Sequence, residues 1–512
     1  MKNQKGLAPI VVILIMVIIV VLVGFGGWLI FETRKPESEV KKPEIEKPAE
    51  KPFEEIPFNL TTTKLATAPE DVDFIAFSPD GRRVAYTVNW SMVIDGQKGK
   101  DYDWISPEGP PIFSPDSKKV AYIGWEGGKA VLVVNNKEEG KVYDDIKPHF
   151  LLFSPDGQKI AYIAKKEGKE FVIVNEKEGK TYDMIIRPPL FSHDGQKIAY
   201  VAEKEGKSLV IINEKESKPY DYVKDLIFSS DSKQIAYVTG EKVEGKERVK
   251  VVVISEKEEK IYEGCENPIF SPDSQQIACI CKGEKGFFVT LNGTRQENYY
   301  DWINKLVFSP DSKQLAYVAG TFQPFEEFVI VSGKKGKSYD EIRFFTFSPD
   351  SRKIAYVAVK GDKIFIVIND EESKAYEWYE DLPQHLQLLY YYLDYPSFFP
   401  IVFSPDSEKI AYIAKKEDKW MIVINSKEGK LYDIISPPIF SPDGQKIAYV
   451  VGEGKEMIER MLVVVNDKEG KAYDMISGNL QFSPDGKYLA FGAALGNELW
   501  WVVEKVEEFG EK

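Results

Sequence analysis

At 512 residues the chain is longer than one ordinary core fills, so it holds either several domains or a repeat array. Its 43% hydrophobic and 13% aromatic content supplies ample core material and excludes a disordered chain. The net charge of −14 comes from closely mixed Lys and Glu without a long basic block, so nothing matches a polyphosphate backbone, and nucleic acid is not an expected partner.

Residues 1–6 form a short basic start, and residues 7–31 then run without a charged side chain before Glu32, Arg34 and Lys35. That length spans a bilayer. It is longer than the apolar core of a cleaved signal peptide and ends in Gly26-Gly27-Trp28-Leu29 with no small-x-small cleavage site, so an uncleaved signal anchor is expected. Lys and Arg stand on both flanks and do not fix the orientation. A short basic start before a first apolar segment commonly acts as an export signal, and long domains cross largely regardless of charge. The expected location is therefore the cell membrane, single-pass, with the long domain outside the cytoplasm. Residues 32–58, with Pro36, Pro43, Pro48, Pro52 and Pro57 among Glu and Lys, bury almost nothing and read as an extended linker.

From residue 59 to residue 508 the chain is periodic. A Phe-Ser-x-Asp signature begins at Phe77, Phe113, Phe153, Phe191, Phe228, Phe270, Phe308, Phe347, Phe403, Phe440 and Phe482. Nine units read Phe-Ser-Pro-Asp, while His193 and Ser230 replace the Pro in the other two. The residue after Asp is always Gly or Ser, which suits a type I turn in which positive φ is not strictly required.

A short strand follows each turn, as in Ile198-Ala199-Tyr200, with Ala in all eleven units, a sign of close approach between sheets. A second strand such as Val172-Ile173-Val174 is apolar on both faces and so covered on both. A third begins near Tyr182-Asp183, and the stretch before the next Phe-Ser makes a fourth. Four strands per roughly 40 residues predict an all-β fold, a β-propeller of eleven four-stranded units. Eleven exceeds the usual 4–8 blades, which points to two rings, with one unusually large ring as the other arrangement. The last unit lacks its Tyr-Asp strand, and Thr-rich residues 60–66 are expected to supply it and remove the open edge.

The Phe-Ser-Pro-Asp-Gly turn followed by Ile-Ala-Tyr resembles the WD-like repeats of TolB-like propellers, over about residues 60–505. The resemblance implies a platform for other envelope proteins, but that family's contact residues lie outside the repeat motif, so none carries over. Propellers of this type also precede the hydrolase domain of prolyl-oligopeptidase-like enzymes, whose Gly-x-Ser-x-Gly elbow is missing here.

One spacing breaks the period: residues 377–400 form an insertion carrying Trp378, Tyr379, Tyr390, Tyr391, Tyr392, Tyr395, Phe398 and Phe399. It reads either as a binding loop or as a short helix over 384–393 packed on the propeller. With Trp104 and Trp302, which follow Tyr-Asp-like pairs, these aromatics make up the candidate binding surface; the alternative for the two tryptophans is packing within the repeat. The recurring Tyr-Asp is better read as a strand-end hydrogen-bonding device than as catalytic carboxylates. His149, His193 and His385 are scattered, no metal or cofactor motif stands out, and no catalytic residue is nominated. For Cys265, Cys279 and Cys281, small apolar fillers and a disulfide from Cys265 to one of the others both remain open. The expected function is a non-catalytic envelope scaffold binding a protein or a glycan. The alternative is a carbohydrate-active hydrolase or lyase with paired carboxylates in the propeller channel, one of them with a raised pKa.

Overall fold

The computed structural model describes residues 61–510 apart from 70–71, 107–110, 244–245, 255–263, 297, 378–400, 455–459 and 477–479. The expected anchor at 7–31, the linker at 32–58 and most of the aromatic insertion, with Trp378 through Phe399, lie outside these residues. No helix among the described residues is long and apolar enough to cross a membrane.

Eleven antiparallel sheets follow one another along the chain. Each is a meander of four strands; in several the innermost strand is interrupted, and the fifth sheet shows three strands among the described residues. The first strand of each unit lies innermost, where neighbouring units come close enough for Lys224 to reach Glu266 across 2.9 Å. The alanine of the second strand is fully buried in all eleven units, from Ala85 to Ala490. It faces the following sheet while the aromatic next to it faces the preceding one: Ala121 packs with Tyr162 and Phe171, Tyr122 with Ala85 and Met92. The small residue lets the large side chains of the next sheet fill the wedge between blades.

Such interfaces join every consecutive pair of blades. A further one joins the last blade to the first, where Val72, Ile75 and Tyr86 pack with Ala66, Ala494 and Leu499. The molecule is therefore a β-propeller with one ring of eleven blades, and the two-ring arrangement is not adopted. The expected closure by the N-terminal segment is found. Thr63–Thr67 pairs with Glu498–Lys505, Thr63 opposite Trp501 and Thr67 opposite Glu498, so the outermost strand of blade 11 comes from the start of the propeller. Closure removes an exposed edge that would otherwise recruit other chains.

The strand directions define two faces. The Ser-Pro-Asp turns and the Asn-containing turns between third and fourth strands lie on one, here the turn face. The hairpins between second and third strands and the Tyr-Asp crossovers lie on the other, the hairpin face. On the turn face, the serine of each motif bonds the aspartate two residues on and accepts the N–H five residues on, as in Ser154 to Asp156 and Lys159 N–H to Ser154.

Positive φ at the residue after Asp is required after all. Ser117, Ser232, Ser274, Ser312, Ser351 and Ser407 all have φ between 60° and 64°, the same region as the glycines. Left-handed backbone costs an L-residue about 1–2 kcal/mol. The compensation is an interblade hydrogen bond: each of these six hydroxyls accepts the N–H of the preceding blade's turn aspartate, from Asp80 to Ser117 at 3.0 Å through Asp350 to Ser407 at 3.0 Å. A second series runs beside it, with Lys159 reaching Gly195 O, Gln314 reaching Ser351 O and, across the closure, Gln481 reaching Pro79 O.

Cys265 and Cys281, directly opposed on the first two strands of blade 6, form a disulfide. The filler reading holds only for Cys279, which is buried with its thiol pushed up to about 12 by desolvation.

Candidate functional site

The Tyr-Asp pairs are latches between blades. Seven of these Asp residues accept a hairpin N–H from the blade they enter, as in Gly127 to Asp103, Glu167 to Asp144 and Phe322 to Asp301, all at 2.7 Å. Several of the Tyr hydroxyls reach a glutamate on the outermost strand of the next blade, as in Tyr143 to Glu178 at 3.0 Å and Tyr339 to Glu372 at 2.9 Å. Lysines neutralise the same glutamates, Lys141 at Glu178 and Lys337 at Glu372; the Lys141 bond lowers the Glu178 pKa, and the Tyr339 hydroxyl, followed by Lys337, lowers that of Glu372. The repeat thus spends its most regular polar residues on holding blade to blade.

Two buried carboxylates lie between blades. Glu170 accepts the Ile185 N–H and the Lys147 ammonium, each at 2.8 Å. Glu327 accepts the Ile342 N–H at 2.6 Å, and burial, with a smaller push from Glu341, raises its pKa. The same bond from Ile476 is taken by the Met461 sulfur in blade 10. Two chemically different side chains, a carboxylate in two blades and a thioether in a third, satisfy the same backbone donor, which makes the position a latch on the innermost strand of the next blade.

A pH effect follows at Glu327. Its folded pKa lies above the unfolded value, so the group binds its proton more tightly in the native state, and stability falls as pH rises through the carboxylate range. Glu327→Gln keeps the acceptor and removes the charge. It is expected to raise the denaturation midpoint at pH 7, to leave it nearly unchanged at acid pH, and to flatten the slope between, as urea titrations at several pH values will show.

The described candidate tryptophans separate. Trp302 packs into the interface of blades 7 and 8 and lies over Gly320, where an added Cβ would sit 2.2 Å from the indole. It is a packing residue of the repeat. Trp104 is 36% exposed and stacks on Trp125, centroids 4.9 Å apart and planes 14° from parallel. The two candidates belong to blades 7 and 2 and do not meet.

What the repeat pattern did not single out is the sidedness of the exposed apolar residues. Trp90, Trp104, Met184, Phe322, Phe325 and Leu495 are all exposed, and all stand at hairpins or crossovers of the hairpin face. Among the described large apolar residues only Val142, on an outermost strand, is exposed elsewhere. The insertion departs from the same side, since Glu377 pairs with Lys363 at the base of the blade 8 hairpin. The chain enters from the other side: Thr62 bonds the carbonyl of Val503, toward the turn-face end of that strand. The signal in the sequence was a departure from the repeat, with Asn89-Trp90 where the neighbouring hairpins have Gly127-Gly128 and Glu167-Gly168.

No family model matches the chain, and neither does any curated protein. Many solved structures are similar to the fold, three of them as follows. The tricorn protease is 13% identical, with 86% of this chain and 60% of that one covered and a TM-score of 0.27. The β-propeller domain of the Trilobed protease from Pyrococcus furiosus, which has an open velcro topology, is 16% identical, with 57% and 99% covered and a TM-score of 0.26. The Dos1 propeller is 11% identical, with 69% and 90% covered and a TM-score of 0.30. This chain spans 60% of the tricorn protease's length. The propeller assignment rests on the sheets and interfaces above.

Proposed function

We propose that this protein is a membrane-tethered, extracytoplasmic, non-catalytic binding scaffold that presents the hairpin face of its propeller to an envelope protein or glycan. The observation that carries this reading is the gathering of exposed apolar side chains on the face opposite the one where the N-terminal segment enters. Exposed aromatic and aliphatic groups on one side of an otherwise charged surface are what a recognition face requires. The uncharged run at 7–31 supplies the tether, and the proline-rich linker holds the propeller off the bilayer with its hairpin face outward. The Cys265–Cys281 bond supports an oxidising compartment. The Phe-Ser-Pro-Asp-Gly repeat supports a place among the TolB-like, WD-like propellers, whose role as platforms fits the same picture.

The test is capture of partners from the source cell envelope by the full-length protein in detergent. A partner lost with Phe322→Glu or Leu495→Glu and kept with Lys233→Glu or Lys313→Glu on the turn face is the expected result. Dependence on the turn-face lysines alone would overturn the reading.

A further inference from the structure

The hairpin between the second and third strands of blade 1 departs from the repeat at three consecutive positions, Asn89, Trp90 and Ser91. Blades 2, 3 and 4 read Gly127-Gly128-Lys129, Glu167-Gly168-Lys169 and Glu205-Gly206-Lys207 there, and blades 8 and 9 keep the lysine as Lys363 and Lys419. Two of the three changes cost the fold something. Trp90 has φ +64° where those three blades place glycine at φ +73° to +78°, a region that a bulky L-residue enters only with strain, and its side chain is 49% exposed. Ser91 stands where Lys129, Lys169, Lys207 and Lys419 pair with the Tyr-Asp aspartates Asp144, Asp183, Asp221 and Asp433; its short side chain bonds Asp101 instead. Asn89 suits the turn, since asparagine tolerates the φ of +47° found there. Its side chain is exposed and makes no hydrogen bond among the described residues.

Together the three residues spell Asn-x-Ser with x other than proline, the acceptor sequence for N-linked glycans, on a surface hairpin. The pattern occurs twice more. Asn59-Leu60-Thr61 begins outside the described residues. Asn292-Gly293-Thr294 contains an asparagine that the repeat itself requires: its Oδ1 accepts the Ile277 N–H at 2.9 Å, just as Asn175, Asn369 and Asn425 serve Ile160, Ile354 and Ile410. Asn89 has no such duty. We propose that Asn89 is a glycosylation site, its Nδ2 carrying an oligosaccharide in N-glycosidic linkage. In the step that forms it, Nδ2 bonds to C1 of the first sugar of a polyprenyl-diphosphate-linked oligosaccharide while the C1–O bond breaks. The diphosphate leaves with the bonding pair, the amide nitrogen gives up one proton to solvent, and no oxidation state changes. Ser91 is fully buried and bonded to Asp101 in the folded blade, so its hydroxyl is open to a transferase only before blade 1 closes, as the chain is exported. The sugar then stands beside the exposed Trp90 and leaves Phe322, on blade 7, open to a partner. The inference rests on the extracytoplasmic placement of the propeller, because such acceptor sequences are used on exported chains.

The experiment is glycopeptide mass spectrometry on the full-length protein purified from membranes of the source cells. The peptide containing Asn89 is expected to carry an added oligosaccharide mass, with fragment ions of the peptide plus a single sugar. Asn89→Gln and Ser91→Ala, made in the same cells, should lose that mass completely. Ser91→Thr, which keeps the hydroxyl, and Trp90→Gly, which restores the turn's glycine, should retain it. Loss in Ser91→Ala at an intact Asn89 separates modification from any role of residue 89 in the turn; a mass that persists there overturns the N-linked site. Impermeant amine-reactive biotin applied to intact cells reports placement in parallel through the propeller lysines. A bare Asn89 in a propeller that the reagent labels overturns the glycosylation site and leaves the placement standing. A bare Asn89 in an unlabelled propeller overturns both.

Discussion

Gly81→Ala is expected to destabilise this protein by about 2–5 kcal/mol, more than the same change at the other Ser-Pro-Asp-Gly turns of the ring. Two costs add. Gly81 has φ +68°, a region an alanine enters at about 1–2 kcal/mol. Its missing Cβ would also lie 1.9 Å from the Trp501 ring, which is fully buried between Gly492 and Thr63 in the closing sheet and has nowhere to retreat. Overpacking of that kind costs typically 1–3 kcal/mol. Gly486→Ala is the control. It has φ +65°, but its Cβ would meet only ordinary contacts at 3.6 Å, so it should cost the backbone strain alone. Urea titrations of both variants, with hydrogen exchange over 61–94 and 481–505, measure the difference. Gly81→Ala/Trp501→Leu should recover part of the loss, since the two positions share one contact. Equal effects for Gly81→Ala and Gly486→Ala would mean that the first and last blades do not press together, and the single ring would be wrong.

That ring marks the boundary of what the sequence made legible. The blade was visible because a turn motif, a buried alanine and an aromatic recur in a fixed order, and each has a local cause. Closure by a Thr-rich strand was visible too, because the last unit lacked a partner for its third strand. The number of rings was not, since it depends on how far each wedge rotates the next, a property of packing between units that no single motif contains. Positive φ at the turn serines was misread for a related reason. Their compensation comes from the N–H of Asp80 or Asp231 on a neighbouring blade, some forty residues away, and the local sequence shows only a residue that dislikes the conformation. On the hairpin face the exposed aromatic residues broke the repeat. Trp104 was noticed beside a recurring pair, while Trp90 stood where the consensus has glycine, a position better known for its backbone than its side chain.

Reduction of the Cys265–Cys281 disulfide is expected to cost about 3 kcal/mol, the value for a loop of roughly 15 residues, and the loss should be concentrated in blade 6. Most blade junctions hold an edge-to-face aromatic pair between an outermost-strand Tyr and the second-strand aromatic of the next blade, as in Tyr143 with Tyr162 and Tyr339 with Tyr356. Blade 6 puts Cys279 at the second-strand position and cannot form that pair. Its first two strands are instead cross-linked to each other, with the sulfurs in the cluster that joins blade 5 to blade 6. Aromatic pairs of this type contribute about 0.5–1.5 kcal/mol beyond their buried area, so the covalent link more than offsets the missing ring. Cys279 reports the outcome, because burial suppresses its thiolate and protects it from alkylation while the blade stays closed. Iodoacetamide labelling with and without reductant, followed by mass spectrometry, should leave Cys279 unmodified in the oxidised protein and label it faster by about two orders of magnitude after reduction, the factor that 3 kcal/mol gives for local opening. Equal labelling rates would show that the bond adds nothing to blade 6. The same assay on intact cells bears on location as well: Cys265 and Cys281 recovered as thiols from undisturbed cells would place the propeller in a reducing compartment, against the export that the anchor predicts.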